Sequence, residues 1–255
     1  MKKQISEALL KVENEHNVRI IYACESGSRA WGFESQNSDF DVRFIYVHPR
    51  DWYLSIAEKR DVIELPVDKL LDINGWDIRK TLQLLRRSNS PLLEWFVSPI
   101  KYRCIDDVFN PLLELSKKAF LPDASFHHYL SMAKNNLAKA QETEKPKIKS
   151  YLYTLRPILC CQWIKKFGNQ PPMRIDELLS IFLPDKKNEL RRHIDEIIGI
   201  KKESIESAVI DRSDILENYL TEQLTELSKF SPKKSAKETL ELFDSFFKIT
   251  IEMFS

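Results

Sequence analysis

The chain has 255 residues, and its content of 43% hydrophobic and 30% charged residues excludes a mainly disordered protein and leaves room for one or two folded domains. Its 39 Lys and Arg residues nearly balance 38 Asp and Glu, so the net charge of +1 excludes a general attraction to nucleic acids or acidic surfaces. The four cysteines form no CxxC pair, and no window approaches the ~20 apolar residues of a membrane span, so we expect a cytoplasmic protein without a membrane partner.

Helices and strands are mixed among the predicted elements of the first hundred residues. Apolar residues at helical spacing predict a helix that stops at Asn14 to Asn17, and the β-branched run at residues 18–25 predicts a strand directly after it. A polar, glycine-containing turn leads to a second strand, Asp39 to His48, whose first residues alternate between polar and apolar. A short helix at DWYLSI, two short strands at DVIELP and KLLDING (Lys69 to Gly75) and an amphipathic helix from Asp77 follow.

Beyond residue 104 the pattern predicts helices alone, with no internal repeat. We therefore predict an α+β protein with a mixed domain at residues 1–104 and a helical domain at residues 105–255. The predicted helices of the second part are Phe126 to Thr143, Ile148 to Phe167, Arg174 to Phe182, Lys186 to Lys202, Ser213 to Phe230 and Lys237 to Phe254.

The segment from Cys24 to His48 combines a glycine-serine turn with two aspartates at the start of one strand. Gly27 allows the backbone to approach a ligand closely, Ser28 adds a hydroxyl donor, and a helical turn beginning there would direct unpaired amides at an anion. Residues two apart on a strand face the same way, so Asp39 and Asp41 place two carboxylates side by side, which is unfavourable without a cation. Because Mg²⁺ prefers carboxylate and phosphate oxygens, the pattern predicts a magnesium site beside a polyphosphate.

This segment resembles the active-site signature of the polymerase-beta-like nucleotidyltransferase superfamily, in which an apolar strand, Gly-Ser, a loop and Asp-x-Asp follow one another. Three stretches are similar to a branch of predicted nucleotidyltransferases associated with RNA repair, namely SGSRAWGFESQNSDFDVRFIY, LDINGWDIRKTLQLLRRSNSPLLEWFVSPI and YLYTLRPILCCQWIKKFGNQPP. The resemblance implies a small mixed sheet with helices, followed by an all-helical C-terminal domain that closes the nucleotide cleft.

Members of this superfamily carry a third carboxylate on a neighbouring strand, and the resemblance matches it to Asp72, inside the apolar strand pattern. Asp77 is the alternative, although an acid at a helix N-terminus also has a structural explanation. The resemblance thus implies that Asp39, Asp41 and Asp72 are both the catalytic residues and the metal ligands.

The reaction that the resemblance implies is a Mg²⁺- or Mn²⁺-dependent attack of a hydroxyl on the α-phosphorus of a nucleoside triphosphate, with release of pyrophosphate. Gly27, Ser28 and Arg29 would hold the phosphates, unless Arg29 anchors the loop instead. Lys149 and Arg156 carry a separate hypothesis, in which the helical domain contacts the nucleotide; the alternative is a helix that covers the cleft without contact.

The hydroxyl acceptor is open between an RNA end, a small molecule and a protein, because the even charge balance gives no broad basic face. The alternative function is a non-catalytic nucleotide-binding or interaction protein that keeps the fold. Neither the preferred triphosphate nor the oligomeric state follows from the sequence.

Overall fold

The structure is a computed structural model that describes residues 1–67, 70–234 and 238–255. Within these residues, periodic apolar patterns become helices and β-branched runs become strands, as the sequence predicts. In chain order the elements are α1 Lys2–His16, β1 Arg19–Glu25, α2 Gly27–Trp31, β2 Phe40–Val47, α3 Arg50–Tyr53, β3 Val62–Glu64, β4 Leu71–Asp77, α4 Ile78–Leu85, α5 Ser90–Phe96, β5 Lys101–Cys104, α6 Asp106–Ala119, α7 Pro122–Gln141, α8 Ile148–Phe167, α9 Ile175–Phe182, α10 Glu189–Glu203, α11 Asp214–Ser228 and α12 Leu240–Met253.

The five strands form one mixed sheet with the order β3-β4-β2-β1-β5. Strands β2 and β4 run parallel, while the other neighbours are antiparallel. The alternation along β2 divides its side chains between the two faces: Val42 and Phe44 pack with α1, whereas Ile45 and Val47 pack with the core under α4, α5 and α6. This small mixed sheet with helices confirms the predicted fold class.

Contacts divide the described residues into two units. The first contains residues 1–27, 39–120 and 238–255, and therefore the whole sheet; the second contains residues 28–38 and 121–234, with helices α7 to α11. The predicted domain boundary at residue 104 stays a prediction. Helix α6 belongs with the sheet because Phe109 stacks on Tyr22 of β1 at 4.1 Å between ring centroids, and α12 joins the same core through Phe243 and Ile251.

The predicted helices beyond residue 121 are confirmed to within a few residues at their ends. The predicted start of the last helix at Lys237, and the predicted start of the KLLDING strand at Lys69, lie outside the described residues. Strand β5 and helix α6 had no predicted counterpart. No helix in the described part of the chain combines the length and the apolar character needed to cross a bilayer.

Candidate active site

The turn after β1 brings the backbone of Gly27 against the carboxylate of Asp41. Gly27 has φ +62°, and a Cβ atom at this position would lie 2.2 Å from Asp41 Oδ2. The backbone N–H of Ser26 donates to the carbonyl of Asp41 at 2.8 Å, and the N–H of Asp41 donates to Oε1 of the buried Glu25 at 2.8 Å. Glycine is therefore required here both for its left-handed backbone and for the space that it leaves to Asp41.

The parallel pairing of β2 with β4 places Asp41 directly opposite Asp72. Because paired residues of neighbouring strands point to the same face, the two carboxylates meet. Arg43, two residues after Asp41, lies between them: its Nη2 donates to Asp41 Oδ1 at 3.0 Å and to Asp72 Oδ2 at 2.7 Å. Two adjacent carboxylates need a positive partner, and in this structure the Arg43 guanidinium is that partner.

The carboxylate pair lies at the uncovered end of its sheet face. Further along the same face, Ile45 and Trp76 are opposite each other and belong to the covered core, where Trp76 packs on Trp95 of α5 at 4.0 Å between ring centroids. The side chains of Asp41 and Asp72 remain 29% and 34% exposed. A ligand from solvent can therefore reach both carboxylates.

The two other aspartates of the prediction have different surroundings. Asp39 precedes β2 and is exposed. Asp77 is fully buried at the opposite end of β4, where it caps α4 by accepting from the Arg79 N–H at 2.7 Å and accepts from the Tyr53 hydroxyl at 2.6 Å. Burial raises the pKa of Asp77 to about 6. Of the two alternatives for the third carboxylate, Asp72 is thus the neighbour of Asp41, and its catalytic role stays a prediction.

The carboxylate oxygens of Asp41 and Asp72 can be compared with the ligands that a divalent cation requires. Asp41 and Asp72 offer two accessible carboxylates to one shared positive group, which suits a Mg²⁺ site with few protein ligands and with phosphate oxygens completing it. Within residues 1–67, 70–234 and 238–255, no group of three or more His, Cys, Asp and Glu side chains has metal-binding geometry. The pair therefore fits the metal, and the joint role of Asp39, Asp41 and Asp72 as metal ligands stays a prediction.

Ser28 and Arg29 belong to the second unit, where they hold the segment 28–38 together. Ser28 Oγ donates to Ser38 Oγ at 3.3 Å, and Arg29 Nη2 donates to the Ser38 carbonyl at 2.7 Å. The hydroxyls of Ser35 and Ser38 in turn donate to Glu206 Oε2 at 2.9 and 3.1 Å. In this structure Arg29 anchors the loop through the Ser38 carbonyl, and phosphate contact by Ser28 or Arg29 stays a prediction.

Lys149 and Arg156 lie on α8 in the same unit and have partners there. Lys149 Nζ is 3.4 Å from Glu206 Oε1. Arg156 is only 1% exposed, its Nε donates to the Met173 carbonyl at 3.0 Å, and its guanidinium carbon lies 4.6 Å from the centroid of the Trp31 ring. Burial gives Arg156 a packing role in this structure, and nucleotide contact by the two residues stays a prediction.

Sequence reasoning missed two residues of these networks. Arg43 was visible only as part of the polar alternation at the start of the second strand, which puts it on the face of Asp41 but does not show that it also meets Asp72. Glu206 was missed because its serine partners, Ser35 and Ser38, are contributed by a segment far away in the chain.

Comparison with known proteins agrees with the resemblance drawn from the motifs. Residues 1–248 match the family RlaP, described as the RNA repair pathway DNA polymerase beta family. The chain is 42% identical over 238 residues to the uncharacterized protein YcgL of Bacillus subtilis (strain 168), covering 93% of this chain and 91% of YcgL.

The chain is also similar to the crystal structure of a nucleotidyltransferase-like protein from Exiguobacterium sibiricum 255-15. The alignment covers 98% of this chain and 79% of the other, at 14% identity and a TM-score of 0.34, and this likeness is too low to support an argument. The family of the chain is shown by the match of residues 1–248 to the family RlaP and by the 42% identity to YcgL. The chain belongs to the RNA repair pathway DNA polymerase beta family.

Proposed function

We propose that the protein is a metal-dependent nucleotidyltransferase, which transfers a nucleoside monophosphate from a nucleoside triphosphate to a hydroxyl acceptor. The observation that carries this proposal is the register of β2 with β4, which sets two accessible carboxylates, Asp41 and Asp72, around a single positive group. Membership of a polymerase-beta family supports the same reaction class.

In the proposed reaction the acceptor oxygen forms a bond to the α-phosphorus, the bond between the α-phosphorus and the bridging oxygen breaks, and pyrophosphate leaves. Asp41 and Asp72 would hold Mg²⁺ or Mn²⁺, which supplies charge neutralisation of the phosphates and lowers the pKa of the hydroxyl. Asp72 is the proposed acceptor of the hydroxyl proton. Asp39 is the proposed additional carboxylate. Ser28, which follows Gly27 in the chain, is the proposed hydrogen-bond donor to the phosphates.

Arg43 supports a second candidate, a non-catalytic nucleotide-binding or interaction protein. Its guanidinium bonds to both carboxylates without any metal and offsets one of their two negative charges, which lowers the repulsion between them. The two candidates differ in what Arg43 must do: in the enzyme it releases the carboxylates when the metal and triphosphate bind, and in the non-catalytic protein it stays in place.

Transfer from α-³²P-labelled triphosphates separates the candidates. Each of the four triphosphates is supplied with Mg²⁺ or Mn²⁺ and with RNA carrying a free 3′-hydroxyl, small polyols or protein as acceptor. We expect Asp41→Asn and Asp72→Asn each to lower transfer at least ~100-fold, because each removes a charge from the site that positions the phosphates. Asp51→Asn, at an exposed aspartate on α3 of the same unit, is the matched control and should leave transfer unchanged.

The outcomes point in opposite directions. Label transfer by the wild type that disappears in the two aspartate variants and persists in the control supports the enzyme. Binding of triphosphate without transfer to any acceptor supports the non-catalytic protein. Transfer that survives both Asp41→Asn and Asp72→Asn would show that the carboxylate pair is not the reaction site.

A further inference from the structure

A second feature of the first unit is a positively charged cleft between α4 and α12. The exposed residues Arg79, Gln83, Arg86 and Arg87 follow one another at spacings of four, three and one, which puts them on one side of α4 and the turn that ends it. Phe243 and Phe247 of α12 form the opposite wall, and the cavity between them has a volume of about 480 Å³. This size is typical of sites that hold a small ligand or part of a larger one.

The charge of this cleft is unbalanced. Three arginines, Arg79, Arg86 and Arg87, line it against one acidic side chain, Asp244. Favourable interaction with the C-terminal end of the α4 dipole accounts for cations at positions 86 and 87. It does not account for Arg79, which lies in the first turn, where the dipole disfavours a positive charge.

Arg79 is held in place by aromatic rings. Its guanidinium carbon lies 5.0 Å from the centroid of the Tyr53 ring and 5.4 Å from that of Phe247, and its Nη2 donates to the Tyr53 carbonyl at 3.3 Å. The Tyr53 and Phe247 rings meet edge to face at 5.2 Å. A guanidinium held against two rings is an ordered donor, which loses little entropy when it binds a phosphate oxygen.

The spacing of the cations indicates the shape of the ligand. Arg79 and Arg86 are seven residues apart, which corresponds to ~10 Å along the helix axis. Cations spread over such a length suit a chain of phosphates, and the partly exposed Phe247 ring suits a base that is not paired in a duplex. We propose that the cleft formed by Arg79, Arg86, Arg87 and Phe247 binds the backbone of single-stranded nucleic acid.

This proposal does not depend on the proposed reaction. It also agrees with the nearly neutral composition, because the attraction is confined to one cleft rather than spread over the surface. An acidic peptide would satisfy the arginines but would leave the partly exposed Phe247 ring without a flat partner, so the geometry favours nucleic acid.

The test is a fluorescence-anisotropy titration of the full chain with a short labelled oligouridine RNA, in EDTA and without triphosphate, so that its result is separate from any transfer activity. The double variant Arg86→Ala/Arg87→Ala should weaken binding at least ~10-fold at low salt and reduce the slope of log K against log salt by about 1.4, the value for two lost phosphate contacts to a single strand. The matched control is Lys117→Ala/Lys118→Ala, which removes two adjacent cations from the last turn of α6 in the same unit and should bind as the wild type does.

The variant Arg86→Lys/Arg87→Lys keeps the charge and guards against a folding defect; we expect it to retain most of the affinity, and circular dichroism should show all variants folded. Equal RNA affinity in the alanine variant and the wild type would overturn the proposal, as would equal losses in the alanine and control variants. Displacement of the RNA by a labelled poly-glutamate peptide or by inorganic phosphate at matched charge concentration would also overturn it, because the cleft would then recognise any anion.

Discussion

The contact between Gly27 and Asp41 allows a substitution series in which backbone strain and steric clash are separated. Alanine at position 27 would adopt a left-handed conformation, at a cost of about 1–2 kcal/mol, and its Cβ would start 2.2 Å from Asp41 Oδ2. The Asp41 carboxylate would have to move by on the order of 1 Å to reach van der Waals distance. Because that carboxylate is partly exposed, its displacement adds less than ~1 kcal/mol to the loss of stability.

Two other glycines are matched controls for this series. Gly168 has φ +67° with no atom within 4 Å of its Cβ position, so Gly168→Ala carries the strain without the clash. Gly199 lies inside α10 with open space at its Cβ position, so Gly199→Ala should stabilise by ~0.5–1 kcal/mol. Urea unfolding should therefore rank Gly199→Ala above the wild type, and place Gly27→Ala and Gly168→Ala together below it.

Transfer activity distinguishes the two destabilised variants. A misplacement of ~1 Å in a catalytic group can lower a rate ~100-fold, so Gly27→Ala should lose activity on that scale while Gly168→Ala keeps it at a temperature where both are folded. If Gly27→Ala and Gly168→Ala have the same activity, the position of Asp41 does not matter for the reaction and the reasoning is refuted.

Four further substitutions test the packing and electrostatics of the two units. Gly75→Ala places a Cβ 2.1 Å from the buried Phe44 ring and should lower the free energy of unfolding by about 1–3 kcal/mol in urea titration; an unchanged midpoint would contradict the described β2–β4 packing. The raised pKa of Asp77, about 6 against 3.8, means that the native state holds its proton more tightly, so this residue should lower stability by ~3 kcal/mol as pH rises from about 4 to above 6. Subtracting the pH profile of Asp77→Asn, which keeps a capping oxygen, from that of the wild type should reveal this fall, and a flat difference would refute it. Glu206→Ala leaves the ammonium of Lys201, 1% exposed, without its partner at 2.6 Å and should cost at least ~2 kcal/mol, whereas Lys201→Met should cost under ~1 kcal/mol; the reverse order in thermal unfolding would exclude this explanation.

Local patterns were sufficient to predict the strands around the candidate site and the turn at Gly27, because alternation and turn chemistry depend on neighbouring residues. The pairing of Asp41 with Asp72 depends on the parallel register of two strands separated by a long connection, and no local pattern fixes that register. The structure shows Asp77 as a buried helix cap, which is the structural explanation that the sequence offered for it, and the choice of Asp72 as the third carboxylate stays a prediction.

Local sequence patterns also do not show which core a predicted helix packs against. Residues 240–253 were predicted to be helical, but the core that receives Phe243 is decided by long-range packing. The same holds for the segment 28–38, whose serines bond to Glu206 and thereby join the helical unit rather than the sheet that flanks them in sequence. Tertiary contacts of this kind cannot be predicted from the order of elements along the chain.

The central claim is that Asp41 and Asp72 together bind the divalent cation that accompanies a triphosphate. A crystal structure of the chain with a non-hydrolysable triphosphate and Mn²⁺ tests it most directly, because anomalous scattering locates the metal. The account predicts an anomalous peak in contact with both carboxylates and a displaced Arg43 side chain. A triphosphate bound with Mn²⁺ elsewhere, while Arg43 still bridges Asp41 and Asp72, would contradict it.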